Sequence, residues 1–253
     1  GEILIEKPTV ADERRNMLNY LRDVLPGVVP ELDRRLRNAW VCAGLPIAAL
    51  ETGPGVPSLR FGTWVGGDRD GHPGVTAEVT AETLERLRAN ALVVLHRQLN
   101  TLAERLPLSE WIQPAPSSLC TLRDQLVALL GEAARPVLRM HPGEPWRQTV
   151  ELMAARLPVE VHPGQLAQVR DEPGCYRKPA ELDADLQTLH TSLVEAGARR
   201  LADHDVTPVR RVLATVGFHL AHLDIRQNSA FHDRALRQLL CTAGIDASQW
   251  EEW

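Results

Sequence analysis

Two adjacent glycines and three charged residues form the part of the sequence best suited to chemistry. They lie in the stretch LRFGTWVGGDRDGHPGVT and are Gly66, Gly67, Asp68, Arg69 and Asp70. Because glycine has no Cβ, such a pair permits positive φ and lets backbone N–H groups come close to a bound group. The charged side chains are then presented from a tight turn, which could hold an anion or a metal ion.

A calcium loop is one interpretation of this turn. Asp68, Asp70 and Gly71 resemble the start of an EF-hand loop, which requires oxygen ligands at positions 1, 3 and 5, glycine at position 6 and glutamate at position 12. Counted from Asp68, positions 5, 6 and 12 are His72, Pro73 and Val79. The pattern is kept only in part, and the sequence therefore argues against calcium.

Two arginines at predicted strand ends, Arg69 and Arg226, are suited to an anion. A planar guanidinium offers parallel donors to phosphate or carboxylate oxygens, which a lysine cannot do. A structural interpretation stands beside this one, in which Arg226 pairs with Asp224, or Asp68 with Arg69, as a buried ion pair. The residues alone do not decide between the two.

The histidines and cysteines do not form a familiar metal or redox motif. The tripeptide HPG occurs three times, at His72, His141 and His162, but at unequal gaps that are typical of turn chemistry. The four cysteines lie far apart without a C-x-x-C pair, which favours reduced thiols. They are Cys42, Cys120, Cys175 and Cys241.

Two short strands are predicted to position the charged residues. In the first, Phe61, Thr63 and Val65 fall on one face and Gly62 and Trp64 on the other, which is the period of a strand. The second covers about Gly217–Arg226, where apolar and charged residues alternate towards its end.

Helices are predicted for most of the remaining chain from apolar residues at helical spacing. Val10–Trp40 is expected to hold two helices with a kink or turn at its prolines, and Val41–Ser58 to be irregular. Pro158–Lys178 is predicted to be a long loop, either functional or mobile. Further helices are predicted from Thr76 as N-cap to Leu102, over Leu119–Met140, over Val150–Leu157, from near Pro179 to just before Gly197, over Val206–Leu213 and over Ala230–Thr242.

Length and charge exclude several classes of protein. The 253 residues suffice for one large domain or two small ones, and the net charge of −5 argues against nucleic-acid binding. The sequence lacks an apolar run of about 20 residues, as a membrane helix requires, and the order of a signal peptide. We therefore expect a soluble, cytoplasmic protein.

Two stretches resemble signatures of the phosphoenolpyruvate carboxylase family. FGTWVGGDRDGHP is similar to F-x-S-W-M-G-G-D-R-D-G-N-P, and VGFHLAHLDIRQNSAFH is similar to F-G-x-x-L-x-x-L-D-I-R-Q-E-S-x-x-H. Weaker similarity at Lys7–Glu13, Glu144–Leu157 and Tyr176–Gly197 extends the resemblance through nearly the whole chain. The signatures depart from the family at Thr63, Val65, His72 and Asn228.

The resemblance implies a fold that is mostly α-helical with a few parallel strands, as an incomplete piece of a helix-rich, TIM-barrel-like β/α barrel. The segments would be N-terminal helices over 1–58, a strand and glycine loop over 59–75, a helical insertion over 76–214, and a second strand with a closing helix over 215–253. Both signatures would lie at the C-terminal ends of barrel strands, where active sites of such barrels are found.

The resemblance also implies the chemistry. The family carboxylates phosphoenolpyruvate with bicarbonate to give oxaloacetate and phosphate, using Mg or Mn, as a homotetramer. Arg226 takes the place of an arginine that binds the substrate phosphate, and Trp64 that of a tryptophan around the methylene carbon. The glycine loop, Gly66–Asp70, would line the same cavity, whereas Asn228 replaces a glutamate and so removes one carboxylate.

Motifs that carry most of the family's catalysis do not occur in these 253 residues. The missing parts are the histidine of T-A-H-P-T, a lysine, the metal-binding acids and the G-R-G-G-x-x-x-R-G-G loop. We therefore expect a central fragment that contains no catalytic residue, binds no metal and is inactive alone. The alternative is a non-catalytic helical module, degenerate from the family, that binds an anion or a partner.

Overall fold

The structure of the chain is a computed structural model that describes residues 8–52, 56–70, 74–162 and 164–246. The described residues are mostly helical, as predicted. They divide into two compact units, which are described separately below. One unit contains the described residues within 1–17, 62–85 and 222–253, and the other contains those within 18–61 and 86–221.

Eleven α-helices and four short strands are found among the described residues. In chain order they are α1 (Val10–Asn19), α2 (Leu25–Cys42), α3 (Ile47–Thr52), β1 (Gly62–Thr63), α4 (Ala77–Glu104), α5 (Ser117–Leu130), α6 (Arg135–Met140), α7 (Pro145–Ala155), β2 (Val159–Glu160), β3 (Gln168–Val169), α8 (Pro179–Glu195), α9 (Arg199–Leu201), α10 (Thr207–Val216), β4 (His222–Leu223) and α11 (Ser229–Thr242).

The core of the larger unit is built from leucine-rich helix faces. On α4 five fully buried residues recur every three to four positions, which is the spacing of one helix face. The buried indole of Trp146 on α7 donates a hydrogen bond to the Ser192 hydroxyl on α8 at 3.2 Å, so the polar end of this large side chain is satisfied. The α4 residues are Leu87, Ala91, Leu95, Leu99 and Leu102.

The kink or turn predicted at the prolines is found earlier in the chain, as a π-helical turn at Tyr20–Val24, whereas α2 continues through Pro30. Pro26 lies in the first turn of α2. The prediction that Val41–Ser58 is irregular was wrong in part, since α3 forms within it; residues 53–55 lie outside the described part.

Two further predictions need correction in the larger unit. The helix predicted over Leu119–Met140 is interrupted by a 3-10 turn at Gly131–Ala134, because Gly131 has φ 57° and ends α5. The predicted loop Pro158–Lys178 contains an antiparallel hairpin, in which Val159 pairs with Val169 and Glu160 with Gln168. Each of its strands has only two residues, too few to show a periodic pattern.

In the smaller unit, β1 and β4 pair in parallel, with Gly62 opposite His222 and Thr63 opposite Leu223. The parallel pairing agrees with the predicted fold class, although the second strand is much shorter than Gly217–Arg226. Closure of a barrel and the four-segment division of the chain stay predictions. None of the described helices is both long and apolar enough to span a membrane.

Candidate functional site

The glycine pair makes the tight turn that follows β1. The carbonyl of Trp64 accepts hydrogen bonds from the N–H groups of Gly67 at 2.9 Å and Asp68 at 3.0 Å. Gly66 has φ 84°, and a Cβ there would collide with the Thr83 hydroxyl. A Cβ on Gly67 would collide with the backbone carbonyl of Asp224. Both positions therefore require glycine.

Backbone hydrogen bonds between the two segments continue past the two-residue strands into the turn. The N–H of Arg226 donates to the Gly67 carbonyl at 3.1 Å, and the N–H of Arg69 donates to the Arg226 carbonyl at 2.9 Å. Asp68 and Arg226 thereby form a parallel bridge. The backbone of Arg226 is thus fixed against the glycine turn, and this explains why Gly67 must allow a close approach.

The structure brings Trp64 and Arg226 together. The Cζ atom of Arg226 lies 5.6 Å from the centroid of the Trp64 ring, within the range of a cation–π contact. The indole is 58% exposed. A guanidinium and an apolar ring therefore lie side by side at a solvent-accessible surface of the smaller unit.

Arg226 is not part of a buried ion pair. Its Nη2 lies 3.6 Å from Asp224 Oδ2, and the two side chains are 53% and 55% exposed. Exposed pairs of this kind contribute little to stability. Nor does an ion pair join Asp68 to Arg69, since both residues are described and their side chains contact other groups.

The remaining charged residues of the turn have different partners. The Asp68 carboxylate accepts a hydrogen bond from the Asp70 N–H at 3.1 Å, which shapes the turn locally. The Arg69 guanidinium reaches the N-terminal turn of α4, where its Nη2 donates to the Thr80 hydroxyl at 3.2 Å. Its Nε is buried without a hydrogen-bond partner among the described residues. Gly71, His72 and Pro73 of the signature lie outside those residues.

Two further contacts lie at the start of α4. The pKa of the Glu78 carboxyl is lowered, first by the hydrogen bond from the Thr76 hydroxyl, and also by the positive charge of Arg69. Thr76 also caps α4 as predicted, since its hydroxyl faces the Val79 N–H at 3.4 Å.

Three residues that pack against the turn or bond to it were not predicted from the sequence. They are Arg14, Thr80 and Thr83. Thr80 donates to the Gly66 carbonyl at 2.8 Å. Thr83 is fully buried against Gly66, and its hydroxyl accepts from Arg14 Nη1 at 3.3 Å. The available signal was two threonines three positions apart at the start of the helix after a glycine loop.

Asn228 has a structural role. Its side-chain oxygen accepts a hydrogen bond from the Phe231 N–H at 2.9 Å and so caps the N-terminus of α11. Asparagine is among the best N-cap residues. The replacement of the family's glutamate is therefore compatible with the local fold.

The described residues contain no group of three or more His, Cys, Asp or Glu side chains that could hold a metal ion. The two carboxylates of the turn, Asp68 and Asp70, do not form such a group.

The described residues thus form a mostly helical fold with one short parallel strand pair that ends in a glycine turn. The sequence model of the phosphoenolpyruvate carboxylase family matches residues 1–253. The chain therefore belongs to the phosphoenolpyruvate carboxylase family.

Curated relatives carry the same family name. The chain is 37% identical over 248 residues to a phosphoenolpyruvate carboxylase of Xanthomonas oryzae, covering 95% of the chain and 25% of the relative. It is 36% identical over 240 residues to one of Rhodopseudomonas palustris, and 35% identical over 254 residues to one of Aromatoleum aromaticum. These matches cover 92% and 97% of the chain, and 24% and 26% of the relatives. The chain thus spans about a quarter of the length of the curated relatives it matches.

Proposed function

We propose that the chain forms part of a phosphoenolpyruvate carboxylase and supplies a portion of its substrate pocket. The enzyme would carboxylate phosphoenolpyruvate with bicarbonate and release oxaloacetate and phosphate. The observation that carries this proposal is the contact between the exposed Trp64 ring and the Arg226 guanidinium, fixed by the β1–β4 pairing.

The chemistry of phosphoenolpyruvate fits such a pair. Its phosphate and carboxylate need cationic donors, and a guanidinium meets two oxygens of either group at once. Its methylene carbon needs an apolar wall, for which an indole face is suited. In this proposal Arg226 binds the phosphate, Trp64 packs against the methylene, and Gly66–Asp70 line the same cavity.

Catalysis would require groups that this chain does not supply. The sequence lacks the family's histidine motif and its second glycine-rich loop. We therefore assign no catalytic residue to the chain and propose that it is inactive alone. In this proposal the whole enzyme is a cytoplasmic homotetramer, and its Mg or Mn is bound by residues outside this chain.

Equilibrium binding tests the substrate role. Isothermal titration of phosphoenolpyruvate into the chain should show saturable binding, and Arg226→Ala should weaken it by about 2 kcal/mol, roughly 30-fold, as expected for loss of one partner of a charge pair. Arg226→Lys should recover only part of the affinity, because the ammonium cannot donate to two oxygens in parallel.

Arg234→Ala is the matched control, since Arg234 belongs to the same unit and its Cζ also lies over an aromatic ring, 5.8 Å from the centroid of Phe231. This variant should bind like the wild type. Equal weakening in both variants, or no binding by the wild type, would contradict the proposal and favour a non-catalytic module. Oxaloacetate formation by the chain alone, followed with malate dehydrogenase, would contradict the proposed inactivity.

A further inference from the structure

We propose that Thr80 is a positioning residue of this site: its hydroxyl fixes both the glycine turn and the Arg69 guanidinium. The proposal rests on the proposed function, because it assigns Arg69 to the same anion cavity. Its first part, the anchoring of Arg69, can be tested without a ligand.

The Thr80 hydroxyl stands between two elements of the site. It lies 2.8 Å from the Gly66 carbonyl, to which it donates, and 3.2 Å from Arg69 Nη2, from which it accepts. A threonine in a helix commonly donates to the carbonyl four residues earlier. Here that carbonyl, of Thr76, is farther away, at 3.1 Å. Since a hydroxyl has one hydrogen, the geometry favours the bond to the turn.

Arg69 depends on this bond for its orientation. An arginine side chain has high rotamer entropy, so a fixed guanidinium needs specific partners. The Nε of Arg69 is buried without a hydrogen-bond partner in the described part of the chain. The bond from Nη2 to Thr80 therefore anchors the guanidinium at the first turn of α4.

Thr83 has a different task, although it lies one turn further along α4. Its hydroxyl donates to the Val79 carbonyl at 2.7 Å, and its fully buried side chain packs where a Cβ on Gly66 would be. Thr83 thus supports the turn by packing. Thr80 joins the turn to the charged side chain, which makes it the more specific position to test.

The experiment compares Thr80→Val, which keeps the β-branched shape without the hydroxyl, with Thr80→Ser, which keeps the hydroxyl. Thr242→Val is the control, because Thr242 lies in the same unit and donates to the Gln238 carbonyl four residues earlier. The first readout is the heteronuclear NOE of the Arg69 Nε–H in the ligand-free protein, assigned with Arg69→Lys. The second is the dissociation constant for phosphoenolpyruvate.

Thr80→Val should lower the Arg69 NOE and weaken binding roughly 5-fold, the equivalent of one hydrogen bond. Thr80→Ser should restore both readouts, and Thr242→Val should change neither. An unchanged Arg69 NOE in Thr80→Val would overturn the proposal, as would failure of Thr80→Ser to restore it. If Arg69 loosens while the wild type does not bind phosphoenolpyruvate, the positioning role is supported and the proposed function fails.

Discussion

The guanidinium of Arg226 lies over the indole of Trp64, 5.6 Å from Cζ to the ring centroid. The two residues follow strands that are far apart along the chain, and the parallel pairing of Gly62–Thr63 with His222–Leu223 makes them neighbours. Because the Arg226 backbone is also bonded to Gly67 and Arg69, the position of its side chain depends on the glycine turn.

Replacing Trp64 tests the cation–π contact and the apolar wall together. Trp64→Leu should weaken binding of phosphoenolpyruvate by about 1 kcal/mol, the size of a partly exposed cation–π contact, whereas Trp64→Phe should retain part of it. Titration calorimetry measures both. Trp111→Leu is the control, since Trp111 is also exposed but belongs to the other unit. Affinity equal to that of the wild type in both Trp64 variants would refute the assignment.

Replacing Gly67 tests the close approach of the two chain segments. Gly67→Ala should lower the free energy of unfolding by about 2 kcal/mol, because the new Cβ meets the backbone carbonyl of Asp224, which cannot rotate away. Gly27→Ala is the control: Gly27 lies in α2 with open space around it, and alanine is the better helix former. Urea unfolding measures both. A Gly67→Ala protein as stable as the wild type would show that the turn relaxes freely.

Replacing Arg211 tests an ion pair inside the larger unit. The Nε of Arg211 on α10 donates to Asp33 Oδ2 on α2 at 2.7 Å, and the guanidinium also donates to the Pro57 carbonyl. The side chains of Arg211 and Asp33 are only 13% and 14% exposed. Arg211→Ala should cost about 3 kcal/mol of unfolding free energy, because Asp33 stays buried without its partner. Arg34→Ala, which removes an exposed pair within α2, should cost below about 0.5 kcal/mol. Equal costs would contradict the prediction.

At acid pH the protein should lose the stability that the Asp23 carboxylate contributes to the fold. Hydrogen bonds from Arg22 and then Arg97 lower the pKa of its carboxyl from 3.8 to about 2. A carboxyl whose pKa is lower in the folded state stabilises the fold above the unfolded pKa, and this stability is lost as the pH falls from about 4 to about 2. Because the group is partly exposed, we expect about 1 kcal/mol.

The free energy of unfolding of Asp23→Asn should therefore be about 1 kcal/mol lower than that of the wild type at pH 7. This difference should become smaller as the pH falls to about 2. Urea unfolding as a function of pH measures the difference from the wild type. Asp185 should have the opposite effect on stability as the pH changes. Burial raises the pKa of its carboxyl, so its ionisation disfavours folding. A constant difference between Asp23→Asn and the wild type across this pH range would contradict the prediction.

Much of the helical structure could be predicted from the sequence. The apolar spacing of Leu182, Leu186, Leu189 and Leu193 predicts α8, and all four residues are fully buried. Gly197, predicted just past its end, has φ 78°. In such segments local periodicity and tertiary packing agree, and the sequence pattern is then sufficient.

The strands show where such patterns fail. The alternation of apolar and charged residues in Leu223–Arg226 continues beyond the end of β4. Strand pairing also depends on the opposite segment, however, and this segment turns at Gly66 and Gly67 after β1. The hairpin at Val159 and Val169 has two-residue strands. The juxtaposition of Trp64 with Arg226 could be expected only from the family resemblance, since no local pattern encodes a pairing over such a separation.

The role of Thr80 could not be predicted from the sequence for a related reason. A threonine near a helix start is usually satisfied by its own helix, and its bonds to Gly66 and Arg69 depend on how the turn packs against α4.

The separation of β1 and β4 along the chain also concerns the order of events during synthesis. At roughly 5 to 20 residues per second, β1 leaves the ribosome on the order of 10 to 30 s before β4 is made. Throughout that interval the nascent chain carries an unpaired strand edge with a large aromatic side chain beside it, and such edges promote aggregation. The pairing of β1 with β4, which places Arg226 over Trp64, therefore also covers this exposed strand edge once β4 has been made.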